Sequence, residues 1–188
     1  LVNCTVKDNT TNGVGPFAHC HSAGDSLTMS NCIVRNGPAP ISNTQGAQIA
    51  ITYTNFEGGW SGAGNIDADP VFVHGFLIGP GSPCIDAGDN GAIPAWLETD
   101  YSGGPRYLDD PGTNDTGVGA PPIVDMGVYE FQVCRVDVND DHLVNTTDFL
   151  AFLNAWAAGD SLADWNLDSE IDTLDFLAYL NDWVVGCP

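Results

Sequence analysis

Two patterns of apolar and polar positions divide the chain near residue 134. Before that point, short alternating runs such as Asn31-Cys32-Ile33-Val34 are separated by Gly and Pro, which indicates strands joined by turns. From Val136 onward, Asp- and Asn-rich segments each precede an apolar segment with helical spacing and no internal Gly or Pro. The pattern therefore predicts a β domain over residues 1–133 and a small helical domain over residues 134–188.

The first region contains a short internal repeat. Asn3-Cys4-Thr5-Val6 recurs as Asn31-Cys32-Ile33-Val34, an offset of 28 residues, and a comparable strand follows at 51–55. Periods of this size are typical of stacked coils, in which each coil buries its inward face against the next one.

The order of four later motifs resembles the C-terminal end of secreted right-handed parallel β-helix proteins. They are GNIDADPVFV at 64–73, GSPCIDAGD at 81–89, GPR at 104–106 and VDMGVYE at 124–130. The resemblance implies that residues 1–133 are the last coils of a β-helix with an irregular closing segment. In that segment we expect Arg106 to pair with Asp125 or with Glu130.

The second region repeats with an offset of 27 residues, which relates Asp137 to Asp164, Asp148 to Asp175 and Trp156 to Trp183. Each copy offers side-chain oxygens at positions 1, 3, 5, 9 and 12 of a twelve-residue loop, the arrangement that wraps Ca²⁺, and position 7 adds a backbone carbonyl. The sequence thus predicts two Ca²⁺ ions, with ligands Asp137, Asn139, Asp141, Leu143, Asn145 and Asp148 in one loop and Asp164, Asn166, Asp168, Glu170, Asp172 and Asp175 in the other.

Other interpretations of these loops fit less well. Solvated turns capped by Asp would not require the same register twice, Mg²⁺ prefers a tighter octahedron, and Zn²⁺ would lack nitrogen and sulfur ligands here. Position 6, where glycine is expected for a sharp turn, holds His142 in one loop and Ser169 in the other. A left-handed conformation at a non-glycine residue costs on the order of 1 kcal/mol, which would weaken Ca²⁺ binding less than tenfold per loop.

Each loop is followed by an apolar helical face, and we expect the two faces to pack together as a core. The first face contains Phe149, Phe152, Leu153 and Trp156, and the second contains Phe176, Tyr179, Leu180 and Trp183.

A tandem of loop plus single helix, with Asp at position 12, resembles the type I dockerin domain. The resemblance covers residues 134–188 and implies binding of a cohesin domain through loop positions 10 and 11, which are Thr146, Thr147, Thr173 and Leu174. The ending Val185-Gly186-Cys187 is similar to a subclass that anchors secreted proteins. The expected fold class is therefore mainly β, a right-handed parallel β-helix end, plus a small α dockerin-like domain with two loop–helix repeats.

The six cysteines suggest an oxidising environment. Because the two halves of the dockerin-like domain are pseudo-symmetric, its ends should meet, and a disulfide between Cys134 and Cys187 is predicted. The spacing leaves open whether the other four pair or remain buried thiols; these are Cys4, Cys20, Cys32 and Cys84.

The charge balance excludes some partners. With 25 acidic and 4 basic residues the formal net charge is −21, which disfavours nucleic acid and anionic membranes, and no apolar run is long enough to insert into a bilayer. The N-terminus has neither a charged leader nor an initiator Met, so we expect the numbering to start inside a longer or processed precursor. An extracellular or cell-surface location is predicted, with sequons for glycosylation at Asn3, Asn9, Asn114 and Asn145.

Together these patterns favour a non-catalytic structural or adhesion protein over an enzyme. Its Ca²⁺-loaded dockerin-like domain would attach to a cohesin-like receptor or to neighbouring copies of itself, with filaments as one form of assembly. The alternative is the C-terminal part of a β-helix lyase or glycosidase that acts on polysaccharide and is anchored through its dockerin. Asp67, Asp69 and Asp86 are the acids considered for such chemistry, but no catalytic motif surrounds them and no catalytic residue is predicted.

Overall fold

The computed structural model describes residues 1–9, 18–37, 41–132, 134–139 and 144–186. The chain forms two compact units, Leu1–Phe131 (the first unit) and Gln132–Pro188 (the second unit). In the described ranges the strands are β1 Thr5–Lys7, β2 Ala18–Cys20, β3 Ser26–Ser30, β4 Ile33–Arg35, β5 Ile41–Asn43, β6 Gln48–Thr52, β7 Asn55–Phe56, β8 Phe72–His74 and β9 Leu77–Ile78, and the α-helices are α1 Thr146–Ala158 and α2 Thr173–Val185.

The strands of the first unit pair mostly in parallel. β1, β4 and β7 form a three-stranded parallel sheet, β2 pairs with β5 and β3 pairs with β6 in parallel, and β8 and β9 form an antiparallel pair. Thr5 lies opposite Ile33, so the register of β1 and β4 equals the 28-residue offset of the sequence repeat.

The predicted right-handed parallel β-helix end is wrong. The described strands form four small separate sheets of two or three strands, none of them closed or extended into a solenoid, and with the two helices they make a small mixed α/β fold. The sequence repeat is only two or three strands deep, fewer than stacking coils need to bury their faces, and none of the described strands exceeds five residues. Pairing of neighbouring strands in register therefore does not require a solenoid.

The core of the first unit consists of two clusters that meet at β4. Successive side chains of a strand point to opposite faces, so Val34 packs with Met29, Cys32, Ile51 and Phe56. Ile33 packs instead in the cluster of Ile78, Cys84, Ile85, Ala87, Met126 and Phe131.

The segment that closes the first unit is hydrogen-bonded to its N-terminal strands. Asn3 Nδ2 donates to the carbonyl of Asp125 at 3.0 Å, and the N–H of Gly127 donates to the carbonyl of Asn31 at 2.8 Å. Gly127 has a φ of +106°, and a Cβ there would lie 2.9 Å from both Ile33 and Thr5. Glycine is thus required at this close approach.

In the second unit, each helix begins with a capping box. Asn145 and Asp148 cap α1, and Asp172 and Asp175 cap α2. The predicted helical faces join a single apolar cluster, whose buried members are Val136, Phe152, Ala163, Trp165 and Tyr179. Neither described helix is long and apolar enough to cross a membrane.

Candidate metal centres

The loop 164–175 is described completely, and its backbone turns around successive side-chain oxygens. The Asp164 carboxylate accepts hydrogen bonds from the N–H groups of Asp168 at 3.1 Å and Ser169 at 3.0 Å. Asn166 Oδ1 accepts from the N–H of Asp168, and Asp168 Oδ1 accepts from the N–H of Glu170, both at 2.9 Å. The side chains at positions 1, 3 and 5 therefore hold the backbone in the curved path that a cation-binding loop requires.

Asp175, at position 12, joins the start of this loop to its end. Its carboxylate is fully buried and accepts from the N–H groups of Trp165 at 2.8 Å, Asn166 at 3.0 Å and Asp172 at 2.8 Å. These backbone donors, with Asn166 first, lower the pKa of Asp175 below its ordinary value.

Position 6 of the loop has the conformation that favours glycine. Ser169 has a φ of +70°, so the expected strain is present at this residue, although its N–H is bound by Asp164. His142, the equivalent residue of the other loop, lies outside the described residues.

The loop 137–148 is described in part, since Asp141 and Leu143 lie outside the described residues. Asp148 is fully buried and accepts from the N–H groups of Asn139 at 3.2 Å and Asn145 at 2.9 Å. Position 12 therefore reaches back to positions 3 and 9 in both loops.

The donor types of both loops fit Ca²⁺, but in the completely described loop 164–175 the carboxylates do not converge. In the part of the chain that the structure describes, three acidic, His or Cys ligand atoms lie within 4.8 Å of one another at one place only, and it is in the first unit. Asp164, Asp168 and Asp175 are bound instead to backbone N–H groups. A cation in loop 164–175 would thus draw on Asn166 and the Glu170 carbonyl as well as on carboxylates.

The converging cluster consists of Asp86, Asp109 and Asp115. Asp86 is fully buried and the other two are exposed. Burial raises the pKa of Asp86 to about 6, and the nearby carboxylates raise it further. The backbone N–H of Asp110 partly offsets this rise, although it is not placed to form a hydrogen bond with the Asp86 carboxylate. The sequence indicates Asp86 only as a candidate acid catalyst and carries no signal for Asp109 and Asp115, which a non-local fold brings beside it.

A buried arginine–glutamate pair lies beside this cluster. Arg106 donates to Glu130 Oε1 at 2.9 Å, which confirms the second of the two predicted partners of Arg106. The Asp125 carboxylate accepts from the N–H of Asp86 at 2.7 Å and from that of Phe131. Burial raises the pKa of Asp125 to about 8 and that of Glu130 to about 9.

The other acids considered for catalysis have structural contacts. Asp67 forms an ion pair with Arg35 at 3.0 Å, and Asp69 accepts a hydrogen bond from the N–H of Val71 at 2.9 Å.

The predicted partner-binding residues Thr146, Thr147, Thr173 and Leu174 are all exposed. The Thr147 hydroxyl is bound within its own loop, because it donates to Asn145 Oδ1 at 2.9 Å. Two further leucines, Leu150 and Leu177, are exposed at equivalent positions of the two helices. The second unit thus presents apolar side chains that its core does not cover.

Cysteines and sequons differ in their surroundings. Cys134 is in a disulfide, and its predicted partner Cys187 lies outside the described residues. Cys4, Cys20, Cys32 and Cys84 are free thiols. Among the sequons, Asn3 is buried and its side-chain nitrogen is bound, Asn145 is half-buried and caps α1, and Asn9 and Asn114 are exposed.

Comparison of the chain with protein-family models, with curated proteins and with solved structures finds no match in any of the three.

Proposed function

We propose that the second unit, Gln132–Pro188, is a calcium-dependent, dockerin-like attachment module of an extracellular or cell-surface protein. The observation that supports this best is the shared structure of its loops. Asp148 and Asp175 are both fully buried, and each accepts hydrogen bonds from loop positions 3 and 9. Two loops built alike on a pseudo-symmetric core are what a paired Ca²⁺ module requires.

Charge gives the second argument. Residues 134–188 contain eleven acidic residues and one basic residue, Arg135, and these carboxylates repel one another in a short segment. Two divalent cations would offset part of that repulsion, and their binding would be coupled to folding. The disulfide at Cys134 suits an oxidising location, where free Ca²⁺ is also high enough for loops of modest affinity.

The exposed apolar side chains suggest the surface that binds a partner. Leu150, Leu174 and Leu177 are each more than half exposed, next to the predicted contact residues Thr146 and Thr173. Since every copy of the chain has a formal net charge of −21, copies repel one another, and a separate cohesin-like receptor is the favoured partner over self-assembly.

Chelation tests the calcium part of this proposal. We expect the near-ultraviolet circular dichroism of the aromatic core to fall, and the thermal transition of the second unit to shift down, when excess chelator replaces millimolar Ca²⁺. Asp164→Asn/Asp168→Asn should reproduce part of this effect at saturating Ca²⁺, whereas Asp160→Asn, a cap outside the loops, should not. Equal stability of the wild-type protein with chelator and with Ca²⁺ would disprove the proposal.

Binding to an immobilised type I cohesin domain tests the partner. The full chain should bind in Ca²⁺ and dissociate in chelator, and Leu174→Asp/Leu177→Asp should weaken binding at least tenfold. Leu162→Asp, at another exposed leucine of the same unit, is the matched control. Calcium-dependent self-association in sedimentation, without cohesin binding, would favour assembly of copies and contradict the receptor.

A further inference from the structure

The Asp86 carboxylate has no partner in the part of the chain that the structure describes. The side chain is fully buried, yet neither of its oxygens accepts a hydrogen bond from a described residue. A buried carboxylate is normally paired with a cation or with several donors, because burial removes its hydration. No residue that the structure describes therefore supplies the hydrogen bond that this buried carboxylate requires.

The backbone holds Asp86 firmly in this orientation. Its N–H donates to Asp125 Oδ1 at 2.7 Å, and its carbonyl accepts from the N–H groups of Thr116 at 2.9 Å and Gly117 at 3.0 Å. Its φ of +49° is unfavourable for a non-glycine residue. A Cβ at Gly117 would lie 2.1 Å from the carbonyl oxygen of Gly88, so the two segments approach closely.

Two further carboxylates converge on Asp86. Oxygen atoms of Asp86, Asp109 and Asp115 all lie within 4.8 Å of one another, and Asp109 and Asp115 belong to the same segment that is hydrogen-bonded to the Asp86 carbonyl. Three carboxylates at this separation repel one another strongly unless a cation lies between them.

The basic side chains of the protein are engaged elsewhere. Lys7 lies beside Asp8 and over the ring of Phe72, Arg35 pairs with Asp67, Arg106 pairs with Glu130, and Arg135 lies over the ring of Trp165. These are all four Lys and Arg residues of the chain. No Lys or Arg side chain is therefore left to balance the cluster, and a cation from solution can take that place.

We propose that Asp86, Asp109 and Asp115 bind one calcium ion in the first unit. The ligands are all carboxylate oxygens, which hard cations prefer and Zn²⁺ does not. Three carboxylates exceed the one or two that Mg²⁺ usually takes, and the exposed side of the cluster leaves room for the waters that complete a Ca²⁺ shell. The ion joins the segment of Asp109 and Asp115 to the buried Asp86.

Equilibrium dialysis of the full chain against about 1 mM Ca²⁺ tests this site. We expect Asp109→Asn/Asp115→Asn, two exposed substitutions, to bind one ion fewer per chain than the wild-type protein. The control Asp8→Asn/Glu98→Gln removes the same charge at exposed positions outside the cluster and should bind as many ions as the wild-type protein. Equal counts in the cluster variant and the wild-type protein, or an equal loss in the control, would overturn the site.

The comparison does not depend on the calcium loops of the second unit. If those loops bind no ion, the number of Ca²⁺ ions bound per chain falls by the same amount in the wild-type protein, the cluster variant and the control variant. The cluster variant still binds one ion fewer than the other two. Amide resonances of Thr116 and Gly117 should shift with Ca²⁺ in the wild-type protein and not in the cluster variant. If an equal concentration of Mg²⁺ reverses these Ca²⁺-induced shifts, the site does not select Ca²⁺, and the proposed identity of the ion is wrong.

Discussion

The rings of Phe152 and Tyr179 are stacked face to face, with centroids 3.9 Å apart and planes only 2° from parallel. The two residues are separated by 27 positions, so they are equivalent members of the internal repeat. Each is fully buried, and Trp165 meets both rings edge-on. The pseudo-symmetry of the second unit is therefore realised as a direct contact at the centre of its core.

Phe152→Ala should destabilise the second unit by about 3–5 kcal/mol, because it leaves a cavity beneath the Tyr179 ring. Urea unfolding at saturating Ca²⁺ measures this change. Leu150→Ala, two residues away but more than half exposed, should change stability by less than about 0.5 kcal/mol. Similar losses in the two variants would mean that the stacked pair is not the centre of the core.

Tyr179→Phe should stabilise the same unit by about 1 kcal/mol. The Tyr179 hydroxyl is buried without a hydrogen-bond partner among the described residues, and burial raises its pKa to about 12. Removal of the hydroxyl keeps the stacked ring and eliminates an unsatisfied polar group. A loss of stability in urea unfolding would show that this hydroxyl has a partner in the folded protein.

Cys4 should be the thiol that reacts first with iodoacetamide. The neighbouring Cys32 thiol, which can stabilise the Cys4 thiolate, lowers the pKa of Cys4 to about 6, whereas burial raises the pKa of Cys84 to about 11. Peptide mapping across pH should give a midpoint near 6 for Cys4, and Cys32→Ala should move it toward about 8.5. Cys20→Ser is the control, and an unchanged midpoint in Cys32→Ala would refute the thiol pair.

Stability of the first unit should decline as pH rises from about 4.5 to about 9. Burial raises the pKa of Glu130 to about 9, so between its ordinary value and 9 the folded state binds more protons than the unfolded state. The stabilising contribution is complete below the ordinary pKa and is lost as pH passes the folded value. Urea unfolding at several pH values should give a shallower decline for Glu130→Gln than for the wild-type protein; equal slopes would contradict this.

Local features of this chain could be read from the sequence, because they depend on neighbours along it. The positions of α1 and α2 follow from Asn145 and Asp172 as caps and from apolar spacing of the helices. The 28-residue repeat likewise matches the register of β1 and β4. The step from that pair to a β-helix was wrong, because a pairing register between two strands contains no information on whether further strands continue the sheet.

Non-local features could not be predicted from the sequence. The cluster of Asp86, Asp109 and Asp115 exists because the N–H groups of Thr116 and Gly117 bind the Asp86 carbonyl, a contact between segments with no common pattern. For the same reason, Arg106 had two equally plausible acidic partners until the backbone placed Glu130 beside it.

The bond from Asn3 to Asp125 has a consequence for synthesis of the chain. These residues are 122 positions apart, so the ribosome releases Asn3 long before its partner exists. Until Gly127 has emerged, the buried carbonyl of Asn31 also lacks its donor. A nascent or proteolysed chain that ends ahead of residue 125 can make neither bond, so Asn3 and Asn31 then lack these two partners. The closing contacts of the first unit therefore form only after its last segment has been synthesised, later than the pairing of β1, β4 and β7 could begin.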